Sequence, residues 1–282
     1  MAVDAAIYLI DAQQKSCTGT YRGEAPRAKQ DMQKHGACPG TPDPNIFATH
    51  GLKLRSGNDG HSTLHVVGDG GREAMEVFDV DANREAPILT WIGCVLIQDG
   101  MKAHIIASLR DGSLLATIAL HEDIPVSDAL AGKVTGGVCK WTPGDAGCIS
   151  SEGTDVPYAN GIEISADEQQ FFGISSGRFT VPAYSHSHPS RLWRISEPCV
   201  FVPAKLHAGS DGVLIIGGLN AVDRACGDVP RSSECSLEKF ASCPRPFTVW
   251  AINPKTMQGL IPCSWSGQCT LQQHHDGNAG GW

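Results

Sequence analysis

Four polar side chains each introduce a short apolar run: His50 before Gly51-Leu52, His104 before Ile105-Ile106, Asn160 before Gly161-Ile162, and Lys205 before Leu206. Two imidazoles, an amide and an ammonium, if gathered, supply a base that works near neutral pH, a hydrogen-bonding amide and a fixed positive charge. Such a set can activate water and steady the charge that develops on an attacked carbonyl. The plainest reading of His50 is an inner-strand histidine bonded to backbone across the channel. Lys205 is a candidate for binding a substrate carboxylate, or a surface lysine if the strand register slips by one residue. His50, His104 and either His186 or His188 form a second possibility, a nitrogen-rich site suited to zinc, copper or iron. The run Tyr184–His188 alternates as a strand would, which puts both histidines on one face; a solvated loop between blades is the alternative. Asp111, Asp167 and Asp211 read as turn residues bonding to nearby backbone rather than as an acid trio. Ser150-Ser151 and Ser175-Ser176 lack the Gly-x-Ser-x-Gly setting of a serine hydrolase.

Chemistry requires these residues to meet, and a repeat in the chain provides the means. Each opener is followed by an apolar strand, a tight turn and a second apolar strand. The turns are Asn58-Asp59-Gly60, Asp111-Gly112, Asp167-Glu168 and Asp211-Gly212. Asp-Gly between apolar runs is a strong hairpin signal because both residues tolerate positive φ. The openers are spaced by 54, 56 and 45 residues, about the period of a propeller blade. In a propeller the inner strands converge on one axis, so the openers are expected to face a common channel. One domain over residues 1–271 is expected, with 272–282 as a disordered tail that includes His274-His275.

Along the chain, Ala6–Asp11 reads as a strand and the following segment to Ala48 as loop. Ala74–Val80, Gly137–Trp141, Leu192–Ile195 and Phe247–Asn253 read as outer blade strands. Residues 81–103 read as a link, and 124–133 as a helical turn or two capped by Ser127 with Asp128.

The formal net charge of −8 and the absence of Lys/Arg clusters argue against a nucleic-acid partner. No apolar run reaches the roughly 18 residues of a membrane-spanning helix. Eleven cysteines, several paired closely in sequence near turns, suggest disulfides and a periplasmic or secreted location. Yet the first residues do not read as a signal peptide. Cys94, inside the apolar run Trp91–Ile97, is the expected unpaired thiol.

Three segments carry a family resemblance. They are His50-Gly51-Leu52 with Leu64–Phe78; Tyr158-Ala159-Asn160-Gly161-Ile162-Glu163-Ile164-Ser165-Ala166-Asp167; and Cys243-Pro244 with Pro246-Phe247 before Val249-Trp250-Ala251-Ile252. Together they resemble the calcium-dependent propeller superfamily of gluconolactonases, senescence marker protein (regucalcin) and paraoxonases, across about residues 40–255. The resemblance implies an all-β, six-bladed propeller, with allowance for incomplete first and last blades. It also implies an axial calcium ion and hydrolysis of a small lactone or ester. Of the family's ligand positions, Asn160 matches an inner-strand asparagine. His104 stands where the other asparagine is expected, and Ala204-Lys205 where an Asp-Asn pair is expected. The family's early glutamate would fall upstream of Met1. Calcium prefers six to eight oxygens, several of them carboxylate, so the implied divalent-metal set, with Asn160 and His104 as ligands, is degraded. Zinc, or no metal, stands beside calcium.

The resemblance also implies that His50 is the general base, and Asp69, standing where the family has a second histidine, is the candidate carboxylate that would hold its tautomer. The leading expectation is therefore a lactonase- or arylesterase-like hydrolase in which a divalent metal polarises the carbonyl and His50 activates water. Two alternatives accompany it: a calcium-free ligand-binding or lyase-like propeller using a His/Lys channel, and an inactive, truncated family member.

Overall fold

Glycine-rich turns and β-branched, apolar runs build a chain whose regular structure is almost wholly strand. The computed structural model describes residues 7–21, 27–84, 86–224, 226–227, 243 and 245–264. Four antiparallel sheets of four strands each follow one another in sequence. The first is β3 (Thr49–Ser56), β4 (His61–Gly68), β5 (Ala74–Asp81) and β6 (Ile88–Leu96). The second is β7 (Met101–Ser108), β8 (Leu114–His121), β9 (Gly137–Trp141) and β10 (Ile149–Ser150). The third is β11 (Ala159–Ile164), β12 (Gln170–Ser175), β13 (Pro182–Ser185) and β14 (Leu192–Ile195). The fourth is β15 (Phe201–Ala208), β16 (Leu214–Asn220), β17 (Phe247–Ile252) and β18 (Gly259–Ser264). A two-stranded sheet, β1 (Ile7–Asp11) with β2 (Ser16–Tyr21), precedes them. Consecutive meanders of this kind are propeller blades. Among the described residues there are four full blades and one two-stranded sheet, short of the six expected.

The first strands of successive blades lie side by side: β3 against β7, β7 against β11, β11 against β15. Between blades the sheets pack face to face, so the middle strands are buried on both faces. Adjacent residues then serve opposite neighbours, as the two-residue period of a strand demands. Leu114 joins the core between the first two blades, with Met75, Val95 and Trp141. Leu115 joins the next core, with Val138, Ile162 and Phe171. Phe172 joins the one after, with Phe201, Leu206 and Ile216. A fully buried side chain of this size stabilises the fold by roughly 2–3 kcal/mol, so each blade is held mainly by its neighbours.

The turn aspartates have the role expected of them. Asp111 accepts from Ser113 N–H at 2.8 Å, Asp167 from Gln169 N–H at 3.1 Å, and Asp211 from Val213 N–H at 3.0 Å. Other expectations need correction. Residues 81–103 are not merely a link, because Ile88–Leu96 forms the fourth strand of the first blade. Its Leu89, Trp91 and Cys94 join one core and its Val95 the next, while Thr90 and Ile92 are only partly buried. Ala74, Gly137 and Phe247 accordingly begin third strands, and only Leu192–Ile195 is an outer strand as expected. The segment before Ala48 holds β2 and a short helix, α1 (Met32–His35), capped by Asp31. The second helix, α2 (Val126–Leu130), begins after Pro125 with no side-chain cap, so Ser127 and Asp128 lie inside it.

Cys94 is not a free thiol. The chain before α1 runs along β6, with Lys29 N–H and Asp31 N–H donating to the Trp91 and Ile92 carbonyls at 2.8 Å each. This carries Cys38 to Cys94, and the two form a disulfide. Cys139–Cys148 and Cys226–Cys243 are also bonded, while Cys17 and Cys199 are free among the described residues. Three disulfides suit an oxidising environment. No helix among the described residues is long and apolar enough to cross a membrane. The expected tail, with His274-His275, lies outside the described residues.

Candidate functional site

Every inner strand breaks register at its opener. In β3 the pairing steps from Thr49–Gly68 to Leu52–Val66, so His50 and Gly51 together oppose one residue of β4. In β7 it steps from Ala103–Ile118 to Ile106–Ala116, which leaves His104 and Ile105 opposite Thr117. In β11 it steps from Ala159–Ser175 to Ile162–Gly173 around Asn160 and Gly161. In β15 it steps from Pro203–Gly218 to Lys205–Gly217 around Ala204. One extra residue per strand is a β-bulge, a device that re-aims a side chain. It also inverts the in-out phase for the rest of the strand. Glycine after the opener is required in two blades by close strand approach. A Cβ on Gly51 would meet the His104 carbonyl oxygen at 2.1 Å, and one on Gly161 the Ala204 oxygen at 2.9 Å.

The bulged openers gather. The His50 and His104 rings lie 4.2 Å apart, centroid to centroid, and Tyr158 meets His104 edge-on at 5.9 Å. Surrounding protein holds His50 below the ordinary imidazole range; the Lys205 charge pushes it further down and the Asp69 charge opposes this. His104 falls to about 3 through burial, then His50 and Lys205. Lys205 is itself lowered by the crowding around it, although both it and His50 keep surface open to the channel. Both rings are thus neutral at pH 7, and each feels the Lys205 charge. Asp69 acts on His50 through its field; no hydrogen bond joins them among the described residues.

Asn160 is tied to three blades. Thr117 Oγ1 donates to its carbonyl at 2.6 Å, and its Nδ2 donates to Ser176 Oγ at 3.2 Å. Ser176 Oγ in turn donates to the Pro203 carbonyl at 2.6 Å. Asn160 Oδ1 and His104 Nδ1 are buried with no hydrogen-bond partner among the described residues.

A second polar layer follows along the same strands, at positions the bulges bring to the inner face. Lys53 Nζ donates to Glu163 Oε1 and Oε2 at 2.9 and 3.1 Å. Ala208 N–H reaches Glu163 Oε2 at 3.4 Å, and His207 Nδ1 lies 4.0 Å from that oxygen. Lys53 and Glu163 belong to β3 and β11, which are separated by β7, so this pair spans the hollow that the inner strands enclose. Arg55, farther along β3, donates to the carbonyls of Leu109 and Arg110, just past the end of the adjacent β7. Sequence reasoning missed Lys53, Glu163, His207 and Tyr158. The first two lie three residues after their openers, a spacing that becomes inward-facing only once the bulge is counted.

The remaining histidine candidates lie elsewhere. His186 Nδ1 donates to the Glu168 carbonyl at 3.1 Å, and its Nε2 faces Lys140 Nζ at 3.4 Å. His186 and His188 line a cleft between the second and third blades, so the structure does not bring them to His50 and His104.

The opener set does not fit calcium. It presents one unpartnered amide oxygen, two imidazoles and a lysine, where calcium wants many hard oxygens. A cation fixed at Lys205 opposes a second cation beside it. Among the described residues no group of three or more histidine, cysteine, aspartate or glutamate side chains is arranged to hold a metal.

No protein-family model matches the chain, and no curated protein matches it by sequence. Its structure is similar to that of a luciferin-regenerating enzyme, with a TM-score of 0.54 at 14% identity over 93% of this chain and 70% of that one. Weaker likenesses are to a hydrazine synthase of Kuenenia stuttgartiensis (TM-score 0.47, 16% identity, 75% and 48% of the two chains) and to a gluconolactonase of Xanthomonas campestris (0.43, 12%, 76% and 75%). At 14% identity the first likeness concerns the fold alone.

Proposed function

We propose that the axial cluster is the reactive centre of a hydrolase for a small lactone or ester, working without calcium. His50 is the general base and the Lys205 ammonium the electrostatic partner of the carbonyl. The observation that supports this most is the convergence of His50, His104 and Lys205 on bulged strands from three blades, with both imidazoles held neutral. A neutral imidazole takes a proton from water as the water oxygen attacks the carbonyl carbon. The oxyanion that forms is stabilised by Lys205 in a site where surrounding protein weakens solvent screening. Collapse of the tetrahedral adduct breaks the bond to the ring or alkoxy oxygen, which recovers the proton from His50. The product is a carboxylic acid, with the alcohol attached in the lactone case. Tyr158 and His104 form the wall against which the acyl portion rests.

A second reading, binding of a small anion without turnover, draws on the same cation and on the lack of a carboxylate hydrogen-bonded to His50. Assays with phenyl acetate and with five- and six-membered lactones, in the presence of a calcium chelator, separate the two. Hydrolysis that survives chelation and falls at least a hundredfold in His50→Gln supports the hydrolase. Activity that vanishes on chelation returns the function to a calcium mechanism, and saturable binding with no turnover in any assay selects the second reading.

A further inference from the structure

The cleft between the second and third blades is independent of the axial cluster. Its volume is about 320 Å³, within the range of small-ligand sites. Leu115 and Phe171 floor it and are buried, whereas Ile149 forms an exposed apolar wall. Lys140, His186, Ser150 and Ser151 also line it.

Two of these polar side chains are tied together. His186 Nδ1 donates to the Glu168 carbonyl at 3.1 Å, and its Nε2 lies 3.4 Å from Lys140 Nζ. Lys140 forms no ion pair within 4.0 Å among the described residues, in contrast to Lys53 and Lys102. Its ammonium is half-buried beside the His186 ring, with donors to spare. Two carboxylates stand near it. Asp145 is engaged by Thr142 N–H at 3.1 Å. Burial works to raise the Asp111 carboxyl, but the Ser113 N–H and the Lys140 charge outweigh it and hold the group below the usual carboxylate range. Both carboxylates thus have partners of their own. An anion entering the cleft meets Lys140 as its positive group, serine hydroxyls beside it and an apolar floor beneath.

We propose that this cleft binds a small hydroxylated carboxylate, with the carboxylate on Lys140, the hydroxyls on Ser150 and Ser151, and the carbon skeleton over Phe171 and Ile149. A ligand of about six carbons fits the volume.

Isothermal titration with D-glucuronate, D-glucose and inorganic phosphate tests this on the intact chain. Saturable 1:1 binding of glucuronate, at least tenfold tighter than that of glucose or phosphate, is expected. Lys140→Met should weaken it at least tenfold with the melting temperature unchanged, and His186→Gln less so. Equal binding of glucose removes the charge recognition from the proposal. Equal binding of phosphate removes the carbon skeleton. Binding that persists in Lys140→Met but is lost in Lys205→Met moves the ligand to the axis. Any of these results, or no saturation at all, overturns the assignment, whatever the outcome of the hydrolysis assays.

Discussion

At the scale of single residues, the proposed hydrolysis divides its work between His50 and Lys205. A base must be unprotonated to act, and crowding together with the Lys205 charge lowers His50 in that direction. Removing the charge by Lys205→Met lifts one of the two influences that lower His50. The acid limb of kcat/KM should therefore move to higher pH as the rate drops about tenfold to a hundredfold, which a pH–rate profile of the variant reads directly. Glu163 makes a different prediction. Its carboxylate is nearly buried and engages Lys53, so Glu163→Ala leaves that ammonium partnerless inside the channel. A loss on the order of 2–4 kcal/mol is expected in denaturant melts, with much of it recovered by the double change to Lys53→Met and Glu163→Met. The openers were legible in the sequence because each interrupts an apolar run with a polar group. Lys53 and Glu163 were not, since alternation from the opener assigns them to the opposite face. The convergence of His50 and Lys205 follows from the repeat, whereas the expected pairing of His50 with Asp69 is not made by a hydrogen bond among the described residues.

At the scale of elements, the bulge is the unit that makes a blade strand functional. It inserts one residue, turns the opener inward and brings its glycine against the neighbouring strand. Gly51 sits where any side chain would collide with backbone of β7, and backbone cannot yield as a flexible side chain can. Gly51→Ala should destabilise the protein by about 1–3 kcal/mol and separate His50 from His104, abolishing hydrolysis. Thermal melts and the lactone assay measure the two effects; an alanine variant with wild-type stability and rate would show that β3 and β7 are not so close. The hairpin turns were readable from Asp-Gly pairs because glycine and aspartate chemistry is local. The fourth strand of the first blade was not, since Ile88–Leu96 carries no turn signal of its own and is fixed by pairing with β5. The Cys38–Cys94 disulfide was hidden for a similar reason: its partners are 56 residues apart, and only the path of the chain along β6 joins them.

At the scale of the whole molecule, stability is shared among cores between blades and is tied to buried neutral histidines. His65 is driven by burial from 6.5 to about 4, and His35, stacked on Trp141, is lowered mainly by burial too. A histidine whose folded pKa is depressed adds its full stability above its unfolded pKa and loses it as pH falls below that value. The unfolded chain takes up protons that the folded chain refuses. Between pH 6.5 and 4 His65 alone should remove about 3 kcal/mol. His104 adds to the loss in the same direction. Urea midpoints should therefore fall steeply over that interval, and His65→Phe should flatten the dependence if the site accepts the larger ring. Reduction acts on the same global balance. Closing a long loop, Cys38–Cys94 contributes about 4 kcal/mol in the chain-entropy account, so a reductant should lower the melting temperature markedly. The blade repeat, and with it the all-β propeller class, was readable from period and turns. The number of blades was not, because it depends on how neighbouring sheets close around the axis.

In the proposed reaction a neutral His50, poised by Lys205, activates water without calcium. The direct measurement is kcat/KM for lactone hydrolysis from pH 4 to 9 with chelator present, in the wild type and in His50→Gln. The wild type should show an acid limb with its midpoint below about 6.5, and the variant a rate at least a hundredfold lower without that limb. The same profile and rate in both proteins, or no turnover in the wild type until calcium is restored, would contradict it.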